Sequence, residues 1–591
     1  MLKMLKTNKI KLNQQMSRAV WPRFMLCIVL TMLSACDAKP TSQIPTLATQ
    51  TVRPDLPITV VVPTITPVPP TATPLPVRTV SVNAALPDDL RQLIRSVVEP
   101  LKMNGLPVQI SDGDAGEAKV GLIKPDQGLA LVTRTFAVAL PFPSVADTIT
   151  FESLSRYWQG DPNALSALGA STPMTLFTDA STLRGLTLLL GPSSPQLPVT
   201  VVEPSDLVSQ TWAARPAGLA ILPFDRLDAR MKLLAVDGVN LFEREANLAG
   251  YPLTLRIGVT GDTTVAKPVA DAISQNVTPH DNRDLSKMTI VAMTGVTAMV
   301  RGTAMKMEEK GITYPAEAIV DWLRTAYITH ISNYVSFREG CPPPTIYDGT
   351  VMCSNPKYIE LLKYVGTDVI ELTGNHLWDY GVRYLSDTIK TYKDLGWGYF
   401  GGGLDLQDSI RPYTVTVNGN RIAFIGCNWF GADWASDQYA GSAPCGSADP
   451  HDFDYIEPQI TKLRAEGYLV IATLQYAEFY FYEATYEQQR DFARLRSAGA
   501  VVVNGSQGHH VQGFDVSPEG FIHYGTGNLF FGDQNPVGTH QTFVDRHVFY
   551  DGHYLGVDLR SAFIVDDAKP VPMNPADRAA LLTTLFKASG Y

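Results

Sequence analysis

The chain has 591 residues, 45% hydrophobic and 18% charged, enough to bury more than one core, since domains usually run to about 100–200 residues. A formal net charge of −10 excludes a general nucleic-acid surface, which needs clustered Lys and Arg against phosphates. A polyanionic partner would have to be met in a local basic cleft, and two domains plus a tether are expected.

Lys3, Lys6, Lys9, Lys11, Arg18 and Arg23 precede an apolar run from Phe24 to Leu33. This is the pattern of a secretory signal, too short to span a bilayer. The run ends in Leu33-Ser34-Ala35-Cys36, small residues before a cysteine, as in a bacterial lipoprotein signal. Cys36 is then the lipidated first residue of an exported protein held on a membrane and facing the periplasm or exterior. An ordinary signal with a chance cysteine is the alternative. Residues 37–79, with PTITPVPPTATPLP, form a Pro/Thr-rich spacer.

Apart from Cys27 in the signal and Cys36, four cysteines remain, at 341, 353, 427 and 445. An even number in an exported chain favours disulfides. Proximity pairs Cys341 with Cys353 and Cys427 with Cys445. A zinc site is the rival, without a CxxC spacing to support it.

Over residues 80–280, helical stretches such as DDLRQLIRSVVEPL alternate with β-rich runs such as GLALVTRTFAVALPF, TLFTD and LPVTVVE, the signature of an α/β domain. The segments VALPFPSVADTITFESLSRYWQGD, LAILPFDRL, LLAVDGVN and YPLTL resemble periplasmic phosphate-binding-type proteins of the type II solute-binding class. That class often holds its ligand at helix N-termini, which makes Thr178, Ser181 and Thr182 of FTDASTLRG candidates. Capping the helix that begins there is the commoner use of such residues.

A polar stretch near residues 279–284 separates this domain from a second, over 286–591. Here MTIVAMTG, ITHISN, DVIELTG, YLVIATLQY and AVVVNG read as strands, and YPAEAIVDWLRTA, NPKYIELLKYVG and LSDTIKTYKDLG as helices. A further helix is expected from about Glu487 to Ser497. Asn418-Gly419 in YTVTVNGNRIAFIGC predicts a hairpin. Three polar motifs follow strands directly: TGNHLWDYG from Thr373, Gln475-Tyr476-Ala477-Glu478, and GSQGHH from Gly505. In open α/β sheets such strand ends assemble the site.

TGNHLWDYG resembles the GNH-x-x-D-x-G motif of the CapA family of capsule and poly-γ-glutamate biosynthesis proteins. The likeness continues through LRSAGAVVVNGSQGHHVQG and FIHYGTGNLFFGDQ to PVPMNPADRAALLTTLF. It implies an α/β sandwich similar to the calcineurin-like metallophosphoesterases, in which carboxylates, an Asn and several His hold divalent ions. By that likeness Asn375 matches the metal-binding Asn, His376 the neighbouring acid or phosphate-contacting His, and His509 the last His of the GHxH-like segment.

The departures are as informative. Gly295-Val296 stands for Gly-Asp, Tyr334 for the next acid, Gln475 for the His of the HxGxE-like motif, and the region of Gln507 for the earlier GHxH histidine. The expectation is an eroded centre with no cofactor, Asn375 and His509 being the remaining candidates for a manganese, zinc or magnesium ion.

What remains is a polar pocket of Arg301, Asn333, Asn375, His376, Gln475, Glu478, Gln507 and His509. Amides and a guanidinium suit carboxylates or sugar hydroxyls. His376, oriented by Asp379, and Glu478 are the acid–base candidates. The alternatives are that Asp379 caps a turn and Glu478 satisfies backbone donors. In an extended segment His509 and His510 point opposite ways, and His509 is the one expected to face the pocket. Phe479 to Tyr482 would line either a sugar-binding surface or a core wall.

The resemblance implies a part in synthesis, handling or export of an anionic polymer such as capsular polysaccharide or poly-γ-glutamate. The expected partners are the polymer or its precursor, a membrane synthase or exporter, and the membrane itself through the anchor. The rival functions are an extracytoplasmic hydrolase and a solute-binding or sensing lipoprotein.

Overall fold

The computed structural model describes residues 76–591 except 114, 125–126, 128–129, 170–172, 347–348, 431–433 and 533–536. The signal, Cys36 and nearly all of the spacer lie outside the described residues. No helix among those described is long and apolar enough to cross a membrane.

The N-terminal half is organised by two antiparallel strands, Val132–Pro141 and Thr254–Gly261, with Thr135 opposite Thr254. From them one sheet extends through Ala118–Leu122 to Arg78–Val82 and Leu106–Ser111, and on the other side through Gly218–Pro223 to Thr175–Thr178 and Val199–Val201. The helix Asp88–Val98 buries Leu90, Ile94 and Val98, a stripe at helical spacing, against Val80, Val82 and Val120.

The C-terminal half is a sandwich. In its first sheet, Gly398–Phe400, Val369–Glu371, Ile328–Asn333 and Met288–Thr294 run parallel, and Gln541–Tyr550, His553–Val565 and Lys569–Pro572 continue it antiparallel. The second sheet runs from Tyr413–Val417 through Asn420–Asn428, Leu469–Gln475 and Ala500–Ser506 to Gly520–His523 and Phe514–Ser517. Met293, Ile328, Val369 and Phe400 of the first pack on Phe424, Leu469, Ile471 and Val502 of the second. Helices cover the outer faces: Val382–Asp394 with Leu385, Ile389 and Tyr392, and Tyr486–Ala498 with Phe492 and Leu495. This is the metallophosphatase-type α/β sandwich that the motif resemblance implies.

Local chemistry explains the element ends. Asn418 and Gly419 take positive φ of 50° and 78° between two antiparallel strands, the two-residue hairpin their sequence predicts. Thr485 and Gln488 form a reciprocal capping box at the head of Tyr486–Ala498. The single helix expected from Tyr314 is instead two short turns, Tyr314–Ala316 and Val320–Arg324, because Ile319 at φ −128° leaves the helical region. Pro356–Tyr358 is likewise a 3₁₀ turn before Ile359–Tyr364.

The described residues lie in one compact unit. The stretch at 279–284 is stitched into the N-terminal sheet, where the Asn282 side chain accepts from Thr135 N at 2.7 Å and donates to Thr135 O at 3.0 Å. Arg578 grips Asp147 with two hydrogen bonds of 2.7 and 2.9 Å, and buried Arg546 reaches Glu243 at 3.0 Å. Cys341 bonds to Cys353 and Cys427 to Cys445.

Candidate functional site

The parallel strands of both sheets end on the same side. The segments that follow them converge on a cavity of about 260 Å³ whose wall includes Arg301, Tyr334, His376, Glu478, His509 and Phe531. Close backbone approach makes this possible. A Cβ at Gly374 would stand 2.6 Å from the Tyr334 Cα, so only glycine lets the GNH loop run beside that strand end. Arg301, Gln507 and His509 have positive φ of 46°, 75° and 50°, a strained backbone of the kind that gathers at functional sites.

His376 Nδ1 meets Asp379 Oδ2 at 2.8 Å, and the same oxygen accepts the Met352 N–H at 2.6 Å. The proton is thereby fixed on Nδ1, leaving Nε2 as the second ring nitrogen. Glu478 accepts from Tyr480 Oη at 3.0 Å and from Gln507 Nε2 at 3.2 Å. Its Oε1 lies 3.9 Å from His509 Nε2. Gln507 in turn accepts from Gln475 Nε2 at 2.6 Å. His509 Nδ1 is paired with Asn528 Oδ1 at 2.8 Å. Arg301 donates to Gly349 O at 2.7 Å and lies over the Phe531 ring.

The structure thus brings Arg301, His376, Glu478 and His509 to one cavity, with Asp379 directly behind His376. Four expectations need correction. Asn333 does not reach the cavity: it is buried on the helix side of its strand and donates to Val335 O and Tyr392 Oη, because alternation puts it opposite Ser332. Gln475 and Gln507 are buried beneath the wall, positioning Glu478 rather than lining the space. Asn375 is half-buried off the wall, its side-chain oxygen buried without a partner. His510 turns away to Val511 O and the Tyr482 ring, but the device is the left-handed turn at His509, not an extended strand.

In the N-terminal half, Thr178 donates to Ile221 O, Ser181 to Asp89, and Thr182 to Asp179. The helix cap is Asp179, which none of the three hydroxyls supplies.

Sequence reasoning missed Tyr334 as a wall residue. Burial drives its phenol well above the ordinary tyrosine range, and the Glu371 and Glu478 carboxylates push the same way, so the proton stays on. Also missed is a buried network beneath it: Glu371 meets His330 Nε2 at 3.1 Å and accepts from Ser506 Oγ at 3.3 Å and from Thr373 Oγ1. Its signal was His330 in one strand, Glu371 at the end of the next with Thr373 two residues on, and Ser506 at the end of a third, polar residues among apolar neighbours.

The donor set does not fit a divalent ion. Among the described residues no three His, Cys, Asp or Glu side chains converge as metal ligands. One carboxylate, Glu478, stands on the wall with His376 and His509, and Val296, Ala298 and Tyr334 hold the other strand-end positions. Tetrahedral zinc asks for four ligands and magnesium for about six oxygens.

Residues 256–533 match the family described as "Bacterial capsule synthesis protein PGA_cap". The chain is 25% identical over 309 residues to the capsule biosynthesis protein CapA of Bacillus anthracis, covering 51% of this chain and 74% of that protein. It is 26% identical over 245 residues to the PGA biosynthesis protein CapA of Bacillus subtilis (strain 168), covering 40% and 62%. An ABC-type phosphate transport receptor from Vibrio cholerae aligns with 33% of this chain and 93% of its own, at 12% identity and a TM-score of 0.25. The C-terminal region of this chain belongs to the CapA family of bacterial capsule synthesis proteins.

Proposed function

We propose that the protein takes part in capsule or poly-γ-glutamate biosynthesis, handling or exporting an anionic envelope polymer while held on a membrane by a lipid on Cys36. The observation that carries this reading is the cavity itself. In a CapA-family region it sets Arg301 beside His376, His509 and Glu478, groups that recognise carboxylates and hydroxyls without a metal. The names of the relatives, which concern capsule and PGA biosynthesis, support the polymer class. Two disulfides agree with an oxidising, extracytoplasmic setting. A membrane synthase or exporter is the partner this reading implies.

The test is genetic. Cells lacking the protein should lose surface-bound anionic polymer, the wild-type gene should restore it, and Arg301→Ala or His376→Ala should restore it poorly despite normal protein levels. Full restoration by both variants would sink the role given to this cavity.

One observation favours a second reading, metal-free hydrolysis. The 2.8 Å contact between His376 and Asp379 is the arrangement that holds an imidazole ready for proton transfer. Shortening of the polymer by purified protein, lost in His376→Ala, would favour it.

A further inference from the structure

Among the described residues six large aromatic side chains are exposed. Five of them, Phe430, Tyr439, Tyr480, Phe481 and Tyr486, lie in the segments that follow the parallel strands Asn420–Asn428 and Leu469–Gln475, whose ends face the cavity. Exposed rings gathered in this way mark a surface that binds something. They are continuous with the cavity. Tyr480 stands on its wall, 41% exposed, with its hydroxyl donating to Glu478 at 3.0 Å. Phe481, next in the chain and 42% exposed, rests on Phe479 with 5.3 Å between ring centroids. Trp378, two residues beyond His376, meets Tyr439, 55% exposed, at 6.5 Å. Rings already held by such contacts lose little freedom when a ligand covers them.

We infer that these rings form a glycan-binding platform, on which sugar units of the polymer stack while a charged substituent enters the cavity beside Arg301. This rests on the reading of the cavity as a polymer-handling site and narrows the polymer to a polysaccharide. Charge decides the occupant. Segments 375–381, 429–445 and 476–487 contain no Lys or Arg, and an exposed acid lies two residues from each of three rings: Asp437 from Tyr439, Glu478 from Tyr480 and Glu483 from Phe481. Poly-γ-glutamate, with a carboxylate on every residue, would be repelled along such a surface. An uncharged sugar ring is not repelled, and it offers a face of C–H bonds to the negative face of an aromatic ring. Its hydroxyls can donate to the exposed carboxylates. A protein partner would also cover the rings, but the core of a protein interface is depleted in charged residues, whereas here acids are interleaved with the rings.

The test uses the full-length chain in detergent micelles and two probes: fragments released by partial acid hydrolysis from the surface polymer of cells that make this protein, and poly-γ-glutamate oligomers. Calorimetry reads affinity, and saturation-transfer NMR reads which ligand protons touch the protein. The fragments should contain sugars, bind saturably and take up saturation at their ring C–H protons. Tyr439→Ala and Phe481→Ala, both at exposed positions, should each weaken fragment binding by about tenfold, the size of one aromatic contact, with melting temperatures retained. The poly-γ-glutamate oligomers should bind more weakly than the fragments. Fragments made of glutamate rather than sugar, absence of fragment binding, tighter binding of the oligomers, or fragment affinity unchanged in both variants would each overturn the platform. If the two ring variants weaken fragment binding and Arg301→Ala does not, the platform stands and the role given to the cavity falls. If only Arg301→Ala weakens it, the cavity stands and the platform falls. Dimers of the wild type that Tyr439→Ala abolishes, with no fragment bound, would assign the rings to a second copy of the chain and overturn the glycan.

Discussion

His376 Nδ1 lies 2.8 Å from Asp379 Oδ2, and that oxygen also takes the Met352 N–H, so the imidazole is held from behind by a carboxylate that is itself held by the disulfide-closed segment. Asp379→Ala removes this support. Nitrogen-15 NMR of the His376 ring should show one tautomer in the wild type and a mixture in the variant. A hydrogen bond to a charged group is worth about 1.5–3 kcal/mol, so any step that depends on the imidazole should fall by roughly 10- to 100-fold.

Gln507 links Gln475 to Glu478 through bonds of 2.6 and 3.2 Å. Gln507→Asn tolerates the positive φ but is too short to bridge them. The variant should lose about 1–3 kcal/mol in chemical denaturation, because the Gln475 amide is left buried and unpaired. Polymer binding should weaken as Glu478 is released.

The Cys341–Cys353 bond carries the backbone contacts to the site, Gly349 O to Arg301 and Met352 N to Asp379, while Cys427–Cys445 is buried in the second sheet's core. The paired change Cys341→Ala with Cys353→Ala should cost about 2–4 kcal/mol. Hydrogen exchange at the Met352 amide should rise, leaving amides of the Leu469–Gln475 strand protected.

His547 is fully buried, and burial lowers its pKa to about 4, with His523 adding to the shift and Asp545 opposing it. The depressed value means that the unfolded chain binds the proton first as pH falls through about 6.5. Stability is therefore present at neutral pH and lost as pH falls toward about 4, beyond which this group adds no further loss. Between about pH 7 and pH 5 the loss from His547 should be roughly 2 kcal/mol, read by denaturant melts. A flat profile in that window would contradict the burial argument.

Much of this was legible because period and punctuation are local properties. Apolar β-rich runs located the strands, Asn418-Gly419 fixed a hairpin, and proximity chose the cysteine pairs. The GNH loop and GSQGHH, both following strands, pointed to the right end of the sheets. Depth was not legible. Gln475 and Gln507 look like site residues in sequence but lie beneath the wall, and Asn333 points to the helix side. Tyr334 reads as a lost acidic ligand, yet its ring builds the cavity. The route by which Met352 reaches Asp379 depends on the path of a closed loop, which no periodicity encodes.

The central claim is that the cavity binds an anionic polymer through its own side chains. The most direct test is the metal content of the purified full-length chain after incubation with manganese, zinc or magnesium and desalting, with polymer affinity measured before and after a chelator. The account predicts no stoichiometric ion and unchanged affinity. One or two ions per chain, lost together with polymer binding when Asn375 and His509 are changed to Ala, would contradict it.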